Sequence, residues 1–283
     1  MSMYHQHDIM HVKKVTLLVL QLKRSLDFYE HILGLHVLLQ DKNIVHLGAN
    51  DHDVLIELIE DPLAKPLGIT QGLYHYALLL PSRAALASVI KRLIDHRYPV
   101  TGASDHGVSE AIYLDDPDGH GIELYIDKPR EEWPIANGQI DMYTKALDLN
   151  PIMGELRPDT TDAIDPLTIM GHLHLHVPNL KDAEAFYVDV LGFQKVLLYN
   201  ESALFISDQG YHHHLGLNIW QGPAPLNEPR QIGLKAYTLH IPQSHYLHLL
   251  KRLKDAHLSL IEENGSTYII DPLQQKLIFD FEQ

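Results

Sequence analysis

The chain carries twenty-one histidines and no cysteine. Imidazole and carboxylate are therefore the side chains through which it could hold a transition metal, and thiol chemistry and disulfides are excluded. The groups crowd most between Ser104 and Glu123, SDHGVSEAIYLDDPDGHGIE, where His106, Tyr113 and Glu123 flank an Asp-Pro-x-Gly turn. Glu123 lies in the apolar run GIELYI, a strand pattern that places Ile122 and Leu124 on the other face. A carboxylate on the inner face of a strand is costly unless a cation or hydrogen bonds accept its charge. A metal would do that; a Glu on the wet face of a half-buried strand is the plainer alternative.

Such groups need elements that bring them together, and the chain supplies these as a repeat. Each copy reads as an apolar strand, a short turn, an amphipathic helix and about three short strands. VKKVTLLVLQL followed by KRSLDFYEHILGL opens the first copy, and MGHLHLHVPNL followed by KDAEAFYVDVLGF opens the third. Phe28, Tyr29, Ile32 and Leu33 recur as Phe186, Tyr187, Val190 and Leu191, the spacing of one helix face. Gly34 and Gly192 then fit a left-handed C-terminal cap. The second and fourth copies open with GLYHYALLLPS and GLKAYTLHIPQ, have helices near 82–97 and 243–257, and close with DDPDGHGIELYI and DPLQQKLIFDF. The copies run 10–62, 71–127, 167–222 and 232–281. A Pro-, Asp- and Thr-rich connection over 128–166, with a short helix expected near 142–149, divides the chain into 1–127 and 167–283. A single copy has too small a core to stand alone. The expected fold is α+β, four βαβββ modules paired into two curved mixed sheets with helices outside and a pocket on a concave face.

Composition agrees with this and narrows the partners. At 283 residues, 45% hydrophobic and 21% charged, the chain has the size and make-up of a globular protein of two units. A net charge of −15 opposes nucleic acid and anionic membranes as partners. MSMYHQHDIMHVKK has no long apolar core behind its charges and is not a secretory signal, and no run is long enough to span a membrane, so a cytoplasmic protein is expected.

Registering the four opening strands on their ends at Leu20, Pro81, Pro178 and Pro242 makes Lys14, His75, His172 and Ala236 equivalent, on equivalent faces. Aligning the two Asp-Pro turns sets Glu123 opposite Ile278. Modules one and four thus offer Lys14, Ala236 and Ile278, which bind no divalent metal. Modules two and three offer His75, Glu123 and His172, two imidazoles and a carboxylate. If those modules share a sheet, a metal cup assembles between them; otherwise the ligands scatter. His174 and His176 share the side of His172 and could line the cup. His5, His7, His11, His245, His248 and His257 read as surface residues.

The repeated unit resembles that of the vicinal oxygen chelate superfamily, which includes glyoxalase I and the type I extradiol ring-cleaving dioxygenases. His106…Tyr113-x2-Asp116-Pro117-x-Gly119-x3-Glu123 resembles the extradiol motif, with Ser104 a departure from the residue usual there. YHHHLGLNIW resembles the family's strand bearing an acid-base histidine; aligning the apolar tails selects His213, and a slip of one residue would select His212 or His214. The likeness covers nearly the whole chain and is strongest to bacillus-type catechol 2,3-dioxygenases. It departs from many two-domain extradiol enzymes in order, since their metal lies wholly in the C-terminal half.

The resemblance implies extradiol cleavage of a catechol by dioxygen, with Fe(2+) or Mn(2+) held by His75, Glu123 and His172. It implies His213 as acid-base residue, Tyr113 bonding a ring oxygen and His106 stabilising the oxyanion. The expected partners are a small aromatic diol and dioxygen, with a homo-oligomer as the assembly to test. A glyoxalase-like isomerase or lyase, or a non-catalytic protein that sequesters an aromatic compound or drug, are the alternative readings.

Overall fold

A computed structural model describes residues 2–158 and 162–281. Module one comprises β1 (His11–Val19), α1 (Leu22–Tyr29), β2 (His36–Asp41), β3 (Ile44–Gly48) and β4 (Ile56–Glu60). Module two comprises β5 (Gly72–Leu79), α2 (Arg83–Asp95), β6 (Gly102–Asp105), β7 (Ser109–Asp115) and β8 (Gly121–Asp127). The connection holds the paired strands β9 (Ile135–Ala136) and β10 (Gln139–Ile140), then β11 (Lys145–Ala146) and α3 (Asn150–Met153). Module three comprises β12 (Ile169–His176), α4 (Leu180–Glu184), β13 (Gln194–Tyr199), β14 (Ala203–Ser207) and β15 (Leu215–Asn218). Module four comprises β16 (Gly233–Ile241), α5 (Gln243–Asp255), β17 (Ile261–Glu263), β18 (Ser266–Ile270) and β19 (Lys276–Phe281). No helix among the described residues is long and apolar enough to cross a membrane.

The architecture is the α+β arrangement of paired βαβββ modules. Modules two and three share a nine-stranded sheet in the order β11-β6-β7-β8-β5-β12-β15-β14-β13. Modules four and one share an eight-stranded sheet in the order β17-β18-β19-β16-β1-β4-β3-β2. The seam of each is an antiparallel pair of opening strands, β5 with β12 and β1 with β16. Leu17, Tyr76, Leu173 and Tyr237 belong to one buried cluster, so the two sheets share a core.

The repeated Phe-Tyr pair does more than fill that core. Tyr29 on α1 donates to Asp116 Oδ2 at 2.9 Å and receives the Tyr76 hydroxyl at 3.0 Å. Tyr187, Tyr237 and Asp271 repeat this cluster, with both hydroxyls donating to Asp271 at 3.2 and 3.0 Å. Each Asp belongs to the Asp-Pro turn of the following module, so module one is tied to module two, and three to four, across the two sheets. Arginine makes a second tie. Arg92 on α2 donates to the carbonyls of Ile32 and Leu33, and Arg252 on α5 to those of Val190 and Leu191. These carbonyls end the helical turns of modules one and three, where no further backbone amide is available to them. Gly192, at φ +99°, holds a conformation that favours glycine, and a Cβ there would also displace the Arg252 guanidinium from these carbonyls.

The two Asp-Pro turns differ in charge balance. Burial pushes Asp116 up, but the His120 ring, with Nδ1 2.8 Å away, wins and leaves its carboxyl below the usual value. Gln275 stands where a cation would be needed beside Asp271, and burial pushes that carboxyl up to about 6. The folded chain therefore holds this proton more tightly than the unfolded chain. The stabilisation is complete below about pH 4 and is lost as pH rises through about 6, a difference of about 3 kcal/mol. Urea midpoints of the wild type and Asp271→Asn between pH 4.5 and 8 should show the decline in the first and its loss in the second; parallel curves would contradict this.

In the connection, the helix expected near 142–149 does not form. Lys145–Ala146 instead adds a strand to the open edge of β6, pairing with Asp105 and Ser104, and the helix begins only at Asn150, with Pro151 in its first turn. An uncovered sheet edge offers a row of unpaired backbone groups, which outweighs the local helical preference.

Candidate active site

His172 on β12 lies directly across from Ala77 on β5, and Ala77 lies beside Glu123 on β8. The methyl of Ala77 leaves open space between two larger side chains one strand to either side, and the imidazole and carboxylate meet over it. Glu123 Oε2 is 3.1 Å from His172 Nε2 and 3.0 Å from His75 Nε2. All three residues are buried, and their donor atoms lie within 4.8 Å of one another. Among the described residues no other trio of His, Asp or Glu donors converges in this way. Burial opposes the charge on Glu123, but the imidazoles of His172 and His75 hold its carboxyl well below the ordinary range.

The trio fits a divalent first-row ion. His75 Nε2 is buried close to the carboxylate yet makes no hydrogen bond, an orphaned lone pair of the kind a metal would satisfy. Two imidazole nitrogens and one carboxylate oxygen make a three-point set that leaves coordination positions for a ligand.

The cup over this trio has a volume of about 540 Å³, ample for a small aromatic molecule. Tyr113, His106, His213 and His174 line it, with Phe205 and Trp220 as apolar walls. Tyr113 is opposite Glu123 on the neighbouring strand, and its hydroxyl lies 2.6 Å from His106 Nε2. His106 Nδ1 faces the Tyr143 carbonyl at 3.2 Å and must donate to it, so in the neutral ring Nε2 accepts from the Tyr113 hydroxyl. Burial, with the Glu123 charge beside it, keeps Tyr113 protonated by raising its pKa well above the normal value. His213 packs on His172 with ring centroids 4.1 Å apart, and burial followed by the charge of His172 lowers its pKa far below normal. A neutral imidazole is the form able to take a proton.

The structure thus brings His75, Glu123, His213, Tyr113 and His106 to the lining of one cup, with His172 buried just behind it against Glu123 and His213. Other expectations change. His212, His213 and His214 precede β15, which starts only at Leu215, and are not part of a strand. His214 accepts from the Asp208 amide and points Nε2 at the Tyr4 carbonyl, away from the cup. His174 lines the cup, whereas His176 bonds the Gly222 carbonyl at 2.9 Å. His5 and His11 are buried instead of lying on the surface, because the N-terminal segment folds over the sheets. His5 Nε2 bonds the Gly171 carbonyl at 2.7 Å, and burial lowers its pKa to about 4 and that of His11 to about 3. His245 is half-buried beside Asp208.

Modules one and four hold a carboxylate after all. Glu57 pairs with Thr16 as Glu123 pairs with Ala77, which makes Glu57 the counterpart of Glu123. It accepts from Thr16 Oγ1 at 3.0 Å, lies 2.8 Å from His46 Nε2, and is 3.6 Å from the Lys14 ammonium. In module three the same position is Gly216, beside His174, where any Cβ would meet the His174 ring at 2.8 Å. Asp127 was also missed, although it follows Glu123 and Tyr125 at the period of one strand face. It lies 2.8 Å from His212 Nε2.

Paired βαβββ modules around a cup with two imidazoles and a carboxylate define the vicinal oxygen chelate architecture. Residues 10–124 match the model of the family described as Glyoxalase/Bleomycin resistance protein/Dioxygenase superfamily. The Catechol-2,3-dioxygenase of Bacillus subtilis (strain 168) is 42% identical over 273 residues, spanning 94% of this chain and 95% of that protein. A crystal structure of a protein from Bacillus subtilis subsp. subtilis str. 168 superposes over 97% of this chain and 86% of its own, with a TM-score of 0.67 at 16% identity. Glyoxalase I from Zea mays does so over 98% and 94%, with a TM-score of 0.58 at 14% identity. The chain belongs to the Glyoxalase/Bleomycin resistance protein/Dioxygenase superfamily.

Proposed function

We propose that this chain is a cytoplasmic extradiol dioxygenase that opens the ring of a catechol beside its two hydroxyls. The observation that carries the reading is the meeting of three metal-capable donors, His75, Glu123 and His172, with a base, His213, across one cup. The similarity to a catechol-2,3-dioxygenase over nearly the whole length supports it. Iron(II) or manganese(II) held by the trio would bind vicinal oxygens and supply the electron path from the diol to dioxygen. His213 takes a proton from one ring hydroxyl and later returns it. Tyr113 turns its hydroxyl from His106 to a ring oxygen, and His106 holds developing charge once Nε2 gains a proton. Phe205 and Trp220 exclude water from the ring. Both atoms of dioxygen enter the product, a 2-hydroxymuconate semialdehyde when the substrate is catechol itself, and no external reductant is consumed.

A glyoxalase-like isomerase is the less favoured reading, because that class calls for a fourth protein ligand and Gly216 occupies the position equivalent to Glu123. Anaerobically prepared, iron-loaded protein should consume one dioxygen per catechol and form a yellow ring-fission product. No oxygen uptake across a panel of substituted catechols would eliminate the dioxygenase reading.

A further inference from the structure

Behind His213 lies a chain of hydrogen bonds that the reading above does not use. His213 Nδ1 is 2.9 Å from His212 Nδ1, and His212 Nε2 is 2.8 Å from Asp127 Oδ1. Asp127 also receives the Tyr211 hydroxyl, 3.1 and 3.2 Å from its two oxygens. Tyr211 in turn shares a hydrogen bond of 2.8 Å with Tyr125. His212 is completely buried, with its ring against Tyr211 and Trp133.

A carboxylate can only accept, so it requires a proton on His212 Nε2. In a neutral imidazole the other nitrogen is then a bare acceptor, and His212 Nδ1 must receive its hydrogen bond from His213 Nδ1–H. That leaves His213 Nε2 without a proton. Among the described residues no hydrogen bond is made to that nitrogen, and His213 lines the cup. We propose that Asp127 and His212 are positioning residues that fix the tautomer of His213, so that its bare Nε2 faces the substrate. The inference rests on the dioxygenase reading for its kinetic consequence, whereas the tautomer itself does not depend on it.

The rival state is a His212 cation that donates from both nitrogens. It would force His213 into the Nε2–H form and turn a base into a donor, so it is the opposite outcome of the same measurement. Two-bond 15N–1H correlation spectra of the full-length chain, 15N-labelled at histidine and loaded with diamagnetic zinc, read the tautomers directly. His213 should show Nδ1–H in the wild type and a shift toward Nε2–H in Asp127→Asn. An Nε2–H wild type, or identical spectra for both proteins, overturns the proposal.

In turnover of catechol by iron-loaded protein, Asp127→Asn and His212→Phe should lower kcat by between about 10- and 1,000-fold, with KM changed by less than about threefold. His212→Asn keeps an acceptor oxygen near the original Nδ1 and should recover most of kcat. A His212→Asn variant as slow as His212→Phe also overturns the assignment. If the wild type consumes no oxygen with any catechol, the dioxygenase reading fails and the spectra alone decide the tautomer.

Discussion

His75→Ala, Glu123→Ala and His172→Ala should each yield a chain that loses its divalent metal on gel filtration, with affinity lowered by more than about 100-fold. Loss of a partner that only orients a ligand typically costs 10- to 100-fold, and each of these residues would remove a donor itself. Elemental analysis of anaerobically prepared variants is the measurement. Lys14→Ala is the control and should keep its metal, because Lys14 sits in the other sheet against Glu57. The metal-free variants should also differ in stability. Glu123→Ala deletes a buried carboxylate, whereas His172→Ala leaves that carboxylate with one imidazole fewer, so Glu123→Ala should be the more stable of the two. Full metal retention by all three alanine variants would refute the ligand set.

His213→Ala should keep its metal and bind catechol within about threefold of the wild type, yet lose roughly 100- to 10,000-fold in kcat, the range for removal of a general base. His213 lies against His172, close enough that a role as a fourth ligand is a concrete competitor. The two roles separate cleanly. A base can be removed without disturbing metal content, whereas a ligand cannot, so metal loss in His213→Ala equal to that in His172→Ala would transfer His213 to the metal shell.

Local periodicity and repetition made the modules visible. The Phe-Tyr pairs, Gly34, Gly192 and the opening strands each announce themselves within a dozen residues, and counting along those strands put His75 and His172 in register. Contacts between distant segments were hidden. His5 and His11 look like solvent-facing residues of a polar N-terminus, and their burial depends on distant segments: Gly171, Tyr211 and His214 around His5, and His214 and His240 around His11. Glu57 escaped notice because module one lacks the Asp-Pro turn used to align the closing strands. Only its pairing with Thr16 reveals its equivalence to Glu123. The tyrosines of the Phe-Tyr pairs read as apolar helix residues, and nothing local discloses that their hydroxyls end on Asp116 and Asp271. The helix expected near 142–149 failed for a similar reason, since the edge of β6 captured part of that segment.

The contrast between the two cups bears on how the molecule responds to scarcity. Around Glu57 the compensating positive charge is Lys14, which is covalently part of the polypeptide and present from synthesis onward. Among the described residues no lysine or arginine pairs with Glu123, whose partners are the imidazoles of His75 and His172, and a bound cation would complete the compensation there. One flank of the protein is thus self-sufficient, while its pseudo-symmetric twin depends on supply. On the proposed reading, scarcity of the metal would fall on the flank that holds Glu123 and leave its companion as an intact platform on which the site can be refilled.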